Sequence, residues 1–315
     1  MENTDDNYNE LYPPKPVFDA PKSSVQQSAI SMLLFIVVYY FAFGRDLQSV
    51  LILVLVVFIH EMGHFAAMKY YGYSDVKMFF VPLVGAFVSG GKHNTTQRQE
   101  SVTLLAGPVP GILIGMGLYL LSYNLHSPLL RSAANTFVFL NAFNLLPLMP
   151  LDGGRLIDTL FANRRETIKL VFTVVSAILL AVVALALDSY FLLILPVLQL
   201  LGMVSMRRRR ALQQQLDKQG LDYKKPYEEL SNRDYWLIRD EIIEQTPAFK
   251  NAPRRQLADE RTEQSIADTI KSLTFAEPVA DLSGWGKLLF VLLWFFFFIS
   301  PLVFGVVMYL IKDPQ

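Results

Sequence analysis

Long apolar runs separated by short polar breaks dominate the chain from residue 28 onward. Seven runs stand out, at about 28–43, 47–70, 102–123, 128–150, 168–187, 190–206 and 285–311. Each spans or nearly spans a bilayer, for which a helix needs roughly 20 residues. Between the second and third runs the pattern changes. Val76 to Val88 is β-branched, aromatic and too short to cross, and it predicts a strand, a turn near Pro82 to Gly85, and a second strand. The fold expected is an all-α polytopic membrane protein with about six core transmembrane helices, a C-terminal one, and a membrane-associated β-hairpin between the second and third helices.

The same pattern divides the chain. Residues 1–26 are acidic, polar and proline-containing, with no apolar core of the kind a signal peptide carries, and are expected to be a disordered, solvated tail. Within them Pro13-Pro14-Lys15-Pro16 leaves room for a short docking motif. Residues 27–206 form the membrane core, 207–283 a polar segment, and 284–312 the last transmembrane helix. In the polar segment, apolar positions recur at Tyr235, Trp236, Ile238, Ile242 and Ile243, and again at Leu257, Ile266, Ile270 and Leu273, which predicts a small helical domain. Lys and Arg set the orientation. Arg207 to Arg210, Arg164 and Arg165, and the loop with Lys77, Lys92 and Arg98 alternate so that the N-terminus and residues 207–283 fall in the cytoplasm. The arginine run also suits contact with anionic lipid. An inner (cell) membrane of a prokaryote is the expected setting.

Composition adds two exclusions. Basic and acidic residues balance at 28 each, with no basic patch interleaved with aromatics, so nucleic acid is not an expected partner. Cysteine is absent, which removes disulfides and thiolate metal sites; any zinc must sit on His and carboxylate.

The chemistry concentrates in the second run, where Val54 to Ile59 lead into His60-Glu61-Met62-Gly63-His64. Four residues apart on a helix, His60 and His64 share a face and can bind one zinc ion. Glu61 stands between them, placed to take a proton from a water on that ion. Ionisable residues in so apolar a run are costly and point to function. Satisfied core histidines are the bland alternative.

A catalytic zinc site needs a third ligand. His93 and His126 fall in polar loops, so a carboxylate at membrane depth is sought. The fourth run ends Asn144-Leu145-Leu146-Pro147-Leu148-Met149-Pro150-Leu151-Asp152-Gly153-Gly154. Two prolines three apart break a regular helix, and irregular backbone at depth must be buried or line a cavity. Asp152 is thereby placed on an unwound turn on the side of the histidines, with the glycines allowing a tight turn. Alone, it reads as the N-cap of a short helix from Gly153 to Ala162. Asn144 either holds a substrate carbonyl or makes a helix-to-helix hydrogen bond.

Together, the HEMGH stretch and Asn144 to Gly153 resemble the paired HExxH and NxxPxxxLDG motifs of the site-2 protease family of intramembrane zinc metalloproteases, over about residues 28–206. The resemblance implies that His60, His64 and Asp152 bind one zinc ion, that Glu61 is the catalytic acid/base and that Asn144 lies in the active site. It implies substrates that are single-pass or few-pass membrane proteins, cut within or near a transmembrane helix, often in a signalling cascade. It also implies a membrane-associated β element at the predicted hairpin. An exposed strand edge there could pair with an unwound substrate, or the hairpin could merely cover the core. The polar segment matches neither a PDZ domain nor a CBS pair. The last helix lies outside the resemblance and could be a lid or plain packing. Two other readings stand beside this one: a non-catalytic membrane scaffold or transporter that keeps zinc for structure, and a zincin that trims prenylated proteins with a downstream Glu as ligand.

Overall fold

Apolar composition and capping chemistry set most of the helix boundaries. The computed structural model describes residues 12–18, 25–42, 46–82, 85–92, 94–161, 166–186, 188, 190–254, 256–274 and 278–312. His93, Arg164, Arg165 and most of the predicted tail lie outside these. The chain divides into two compact units, Ser23–Leu201 with Pro278–Gln315, and Met1–Lys22 with Gly202–Glu277.

In the larger unit, helix α1 (Val25–Ala42) precedes α2 (Leu47–Tyr70), whose first turn is capped by the Asp46 carboxylate accepting from the amides of Gln48 and Ser49. At about 1.5 Å per residue, α2 is long enough to cross a bilayer. The hairpin follows as β1 (Ser74–Val81) and β2 (Gly85–Gly91), antiparallel, with Lys77 opposite Ser89 and Val81 opposite Gly85. Burial alternates along β1, and Met78 and Phe80 pack with Phe35, Tyr39, Val50, Val54 and Val57 of α1 and α2. The far edge of β1 is closed by α1: Ser28 Oγ donates to the Met78 carbonyl at 2.7 Å, and Ser31 Oγ accepts from the Phe80 amide at 3.2 Å.

The predicted third segment is two helices, α3 (Gln97–Ala106) and α4 (Pro108–Leu125), meeting at Gly107. Pro108 and Pro110 supply no amide hydrogens, so the helix restarts with proline in its first turn. After α4, α5 (Pro128–Asn144) is capped by Ser127, and an irregular stretch leads to the short α6 (Asp152–Leu160). Next come α7 (Glu166–Ala186), a 3₁₀ turn (Tyr190–Leu193), α8 (Ile194–Lys218) and, far along the chain, α11 (Gly284–Lys312). Leu104, Leu105, Ile112, Leu145, Leu156, Leu160 and Phe290 form the core where α3, α4, α6 and α11 meet.

Among the described residues, four helical stretches are long and apolar enough to cross a membrane: Leu47–Tyr70, Gln97–Leu125, Lys169–Ala186 and Gly284–Ile311. The other predicted runs are shorter as helices. Gln26–Ala42 is a shorter apolar helix, α5 has 17 residues, and α8 passes from its apolar start through the arginines to Lys218. The fold is mainly helical with one two-stranded sheet, as expected.

The smaller unit contains the end of α8, α9 (Asn232–Gln245) and α10 (Glu260–Thr274) around Leu216, Tyr235, Trp236, Ile238, Ile242, Ile266 and Ile270. Leu257 of the predicted second pattern precedes α10 and is exposed. Residues 12–18, expected to be solvated, lie against this unit: the Trp236 indole donates to the Pro13 carbonyl at 2.7 Å. The buried indole needs an acceptor, and a proline-rich backbone, already extended, offers one.

Candidate metal centre

Helical spacing puts His60 and His64 on the same face of α2, and both are buried. Their Nε2 atoms are 3.1 Å apart. Asp152, at the start of α6, brings Oδ2 to 3.1 Å from His60 Nε2 and 3.2 Å from His64 Nε2. Among the described residues this is the one His/Asp/Glu group arranged to hold a metal ion.

The outer ring nitrogens fix the tautomer of each neutral imidazole. His64 Nδ1 lies 2.7 Å from the Thr103 carbonyl oxygen, which only accepts. His60 Nδ1 lies 2.8 Å from Asn141 Oδ1, and the Asn141 amide nitrogen donates to the Phe137 carbonyl at 2.7 Å, so its oxygen faces the ring. In the neutral form in which a metal is bound, both imidazoles therefore carry their proton on Nδ1 and turn a lone pair inward on Nε2. Asp152 Oδ2 is buried and receives no hydrogen bond. Three electron-pair donors thus converge with no proton among them. Left alone they repel; a divalent cation satisfies all three. Their separations are close to the ~3.3 Å edge of a tetrahedron with zinc–ligand bonds of about 2.0–2.1 Å. The residues present fit zinc.

Backbone contacts hold each ligand in place. Thr103 is in the last turn of α3, and its carbonyl, with a second lone pair to offer, accepts from His64. A Cβ on Gly107 would fall on the His64 ring, and one on Gly63 would strike the Ala106 carbonyl. Gly153 and Gly154 serve close approach rather than a turn. They are helical, and a Cβ on either would collide with the backbone of Leu145 to Met149. The carbonyl of Leu145, just past α5, accepts from the Trp294 indole of α11 at 2.7 Å. Gln97 Nε2 donates to the Thr159 carbonyl at 2.7 Å, tying α3 to α6.

Glu61 is buried on α2, within electrostatic reach of both imidazoles, Asp152 and Arg155. Asn144 is the last residue of α5 and gives its amide to the Leu140 carbonyl at 3.0 Å, within its own helix. The asparagine that touches the cluster is Asn141, one turn earlier. A polar amide in an apolar run was its only sequence signal, one that Asn144 shares; its complete burial appears only in the fold. The Thr103 carbonyl had none, because a backbone acceptor leaves no trace in side-chain identity. Asp152 opens α6, with Leu151 as the N-cap, so the capping role that a lone Asp suggests falls elsewhere.

Residues 48–137 match the model of Peptidase family M50, a span that includes HEMGH and stops short of Asp152. Stage IV sporulation protein FB of Bacillus subtilis is 30% identical over 122 residues, 38% of this chain and 42% of that protein. Zinc metalloprotease MJ0392 of Methanocaldococcus jannaschii is 28% identical over 124 residues, 38% of this chain and 36% of that one. The chain thus covers less than half the length of either relative. The site-2 protease from Methanocaldococcus jannaschii aligns with a TM-score of 0.42 and 23% identity over 55% of this chain and 86% of that one, a likeness too distant to build on. The resemblance to site-2 proteases read from the two motifs is borne out by the family match and the named relatives.

Proposed function

We propose that the chain is an intramembrane zinc endopeptidase that hydrolyses peptide bonds within or near transmembrane segments of single-pass or few-pass membrane proteins, in regulated intramembrane proteolysis. The observation that carries this is the tight buried triangle of His60 Nε2, His64 Nε2 and Asp152 Oδ2 beside a buried Glu61. The matched peptidase family and the relative named a zinc metalloprotease support the metal and the reaction class.

His60, His64 and Asp152 would hold the ion, leaving a fourth position for water or substrate. Zinc bound there supplies a Lewis acid that eases ionisation of water and polarises a carbonyl. Glu61 takes the proton as water attacks the peptide carbonyl, then returns it to the leaving amine. Asn144 would hold the substrate backbone near the end of α5. The hairpin would present it: β1 is closed on its outer side by α1, whereas among the described residues the main chain of β2 bonds only to β1 and, at Gly91, to the Ser74 hydroxyl. An extended substrate can add to that edge, which exposes the bond that a helix shields. The N-terminus and residues 207–283 would face the cytoplasm. The decisive substitution is Glu61→Gln. It should abolish cleavage of a membrane-embedded reporter while one zinc per chain is retained; normal cleavage by that variant would end the proposal.

A further inference from the structure

Residues 12–18 are held in the manner of a bound peptide. We propose that residues 202–274 form a recognition site for an extended, proline-flanked lysine, which the chain fills with its own residues 12–18. The site reads three features. The Lys15 ammonium donates to three backbone carbonyls, those of Tyr227 at 2.8 Å, Glu228 at 2.7 Å and Leu230 at 2.7 Å, and lies 5.5 Å from the centre of the Tyr227 ring. A cage of carbonyls and an aromatic face selects a cation with several donors. The Lys15 amide donates to Asn232 Oδ1 at 3.0 Å. Finally, Trp236 Nε1 and the Tyr227 hydroxyl donate to the carbonyls of Pro13 and Pro16 at 2.7 and 2.8 Å. Proline carbonyls are strong acceptors on a backbone already extended, so little conformational freedom is lost on docking.

The segment is a ligand of this unit rather than part of its interior. The fully buried cluster from Leu212 to Leu273 contains none of its residues, and Tyr12 and Phe18 only rest against it. Val17 is 88% exposed. When the segment leaves, the Trp236 indole loses its carbonyl partner and keeps a donor that another peptide carbonyl can take. The same groove would therefore accept a second polypeptide carrying Pro-Pro-Lys-Pro, in exchange for residues 12–18.

The test uses the full chain in detergent and a fluorescein-labelled peptide with the sequence of residues 11–19. In a Lys15→Glu chain the carbonyl cage repels the new carboxylate and the site empties. That chain should bind the peptide about ten-fold or more tightly than the unmodified chain does, and a peptide with the same Lys→Glu change should lose about ten-fold or more, as expected for a charge-assisted set of hydrogen bonds. In the unmodified chain, excess peptide should speed exchange of the Lys15 amide hydrogen, which Asn232 otherwise protects. Equal binding to both chains, binding indifferent to the lysine, or collapse of the helical unit in the Lys15→Glu chain without peptide binding would each overturn the proposal.

Discussion

Two buried polar clusters in this protein differ in what they lack. In the helical unit, Arg239 is completely buried and pairs with Glu263 through Nε at 2.7 Å and Nη2 at 2.8 Å. Two further donors reach the carbonyls of Pro253 and Gln256, both at 2.9 Å, and Nη1 also lies 3.9 Å from Asp240 Oδ1; Glu263 also accepts from the Tyr235 hydroxyl at 2.6 Å and the Ala258 amide at 3.0 Å. Between Arg239 and Glu263 donors meet acceptors and opposite charges meet, so the pair is closed. Around His60, His64 and Asp152 every inward atom is an acceptor, and the donors have been turned outward to Asn141 and Thr103. That set is open and completes itself only with a cation. Burial and polarity are the same in both; the balance of donors and acceptors separates a structural cluster from a metal centre.

The comparison breaks most sharply at Asp152. Asp152→Ala should remove zinc almost entirely, measured as metal per purified chain, because two imidazoles alone do not make a stable site; zinc content unchanged would place the third ligand elsewhere. The closed cluster should fail in the opposite way. Arg239→Ala should cost the helical unit about 3–5 kcal/mol by stranding the Glu263 charge, and leave zinc content unaltered. Hydrogen exchange of α9 and α10 amides reads the loss. Next in size, Asn141→Leu removes the acceptor that turns His60 and should weaken zinc affinity roughly 10- to 100-fold, followed by competition with a chelator. Affinity within error of the unmodified chain would make Asn141 a packing residue only.

The smallest effect is on acid stability. Burial alone would raise the Glu263 carboxyl, but hydrogen bonds from Arg239 and Tyr235 outweigh it and hold it below the ordinary carboxylate range. A carboxyl depressed in the folded state contributes stability above its unfolded pKa and loses it as pH falls through the folded value. The helical unit should therefore weaken only below the ordinary glutamate range, and Glu263→Gln should flatten that dependence. A steep loss that survives the substitution would assign acid sensitivity to another group.

Much of the site was legible beforehand because its chemistry is carried by side chains at helical spacing. His60, Glu61 and His64 announce themselves as costly residues in an apolar run, and the prolines before Asp152 mark irregular backbone. Asn144 and Asn141 show where such reading falters. Both are amides on α5 three residues apart, and only their rotation about the helix axis decides which one meets His60. The third run reads as one continuous span, so neither its division at Gly107 nor the use of the Thr103 carbonyl by His64 is foreseen.

What the sequence determined by itself was local: where apolar runs suit a bilayer, where proline and capping residues stop helices, and which four side chains could do metal chemistry. Those properties follow from each residue's own covalent structure and its nearest neighbours along the chain. What only the tertiary structure decided was which distant atoms meet. Examples are Trp294 on the carbonyl of Leu145, Gln97 on Thr159, Trp236 on Pro13, and the aspartate oxygen between two imidazoles. These contacts depend on how helices rotate and cross, set by packing across whole surfaces, and three of these four end on backbone atoms that every sequence shares.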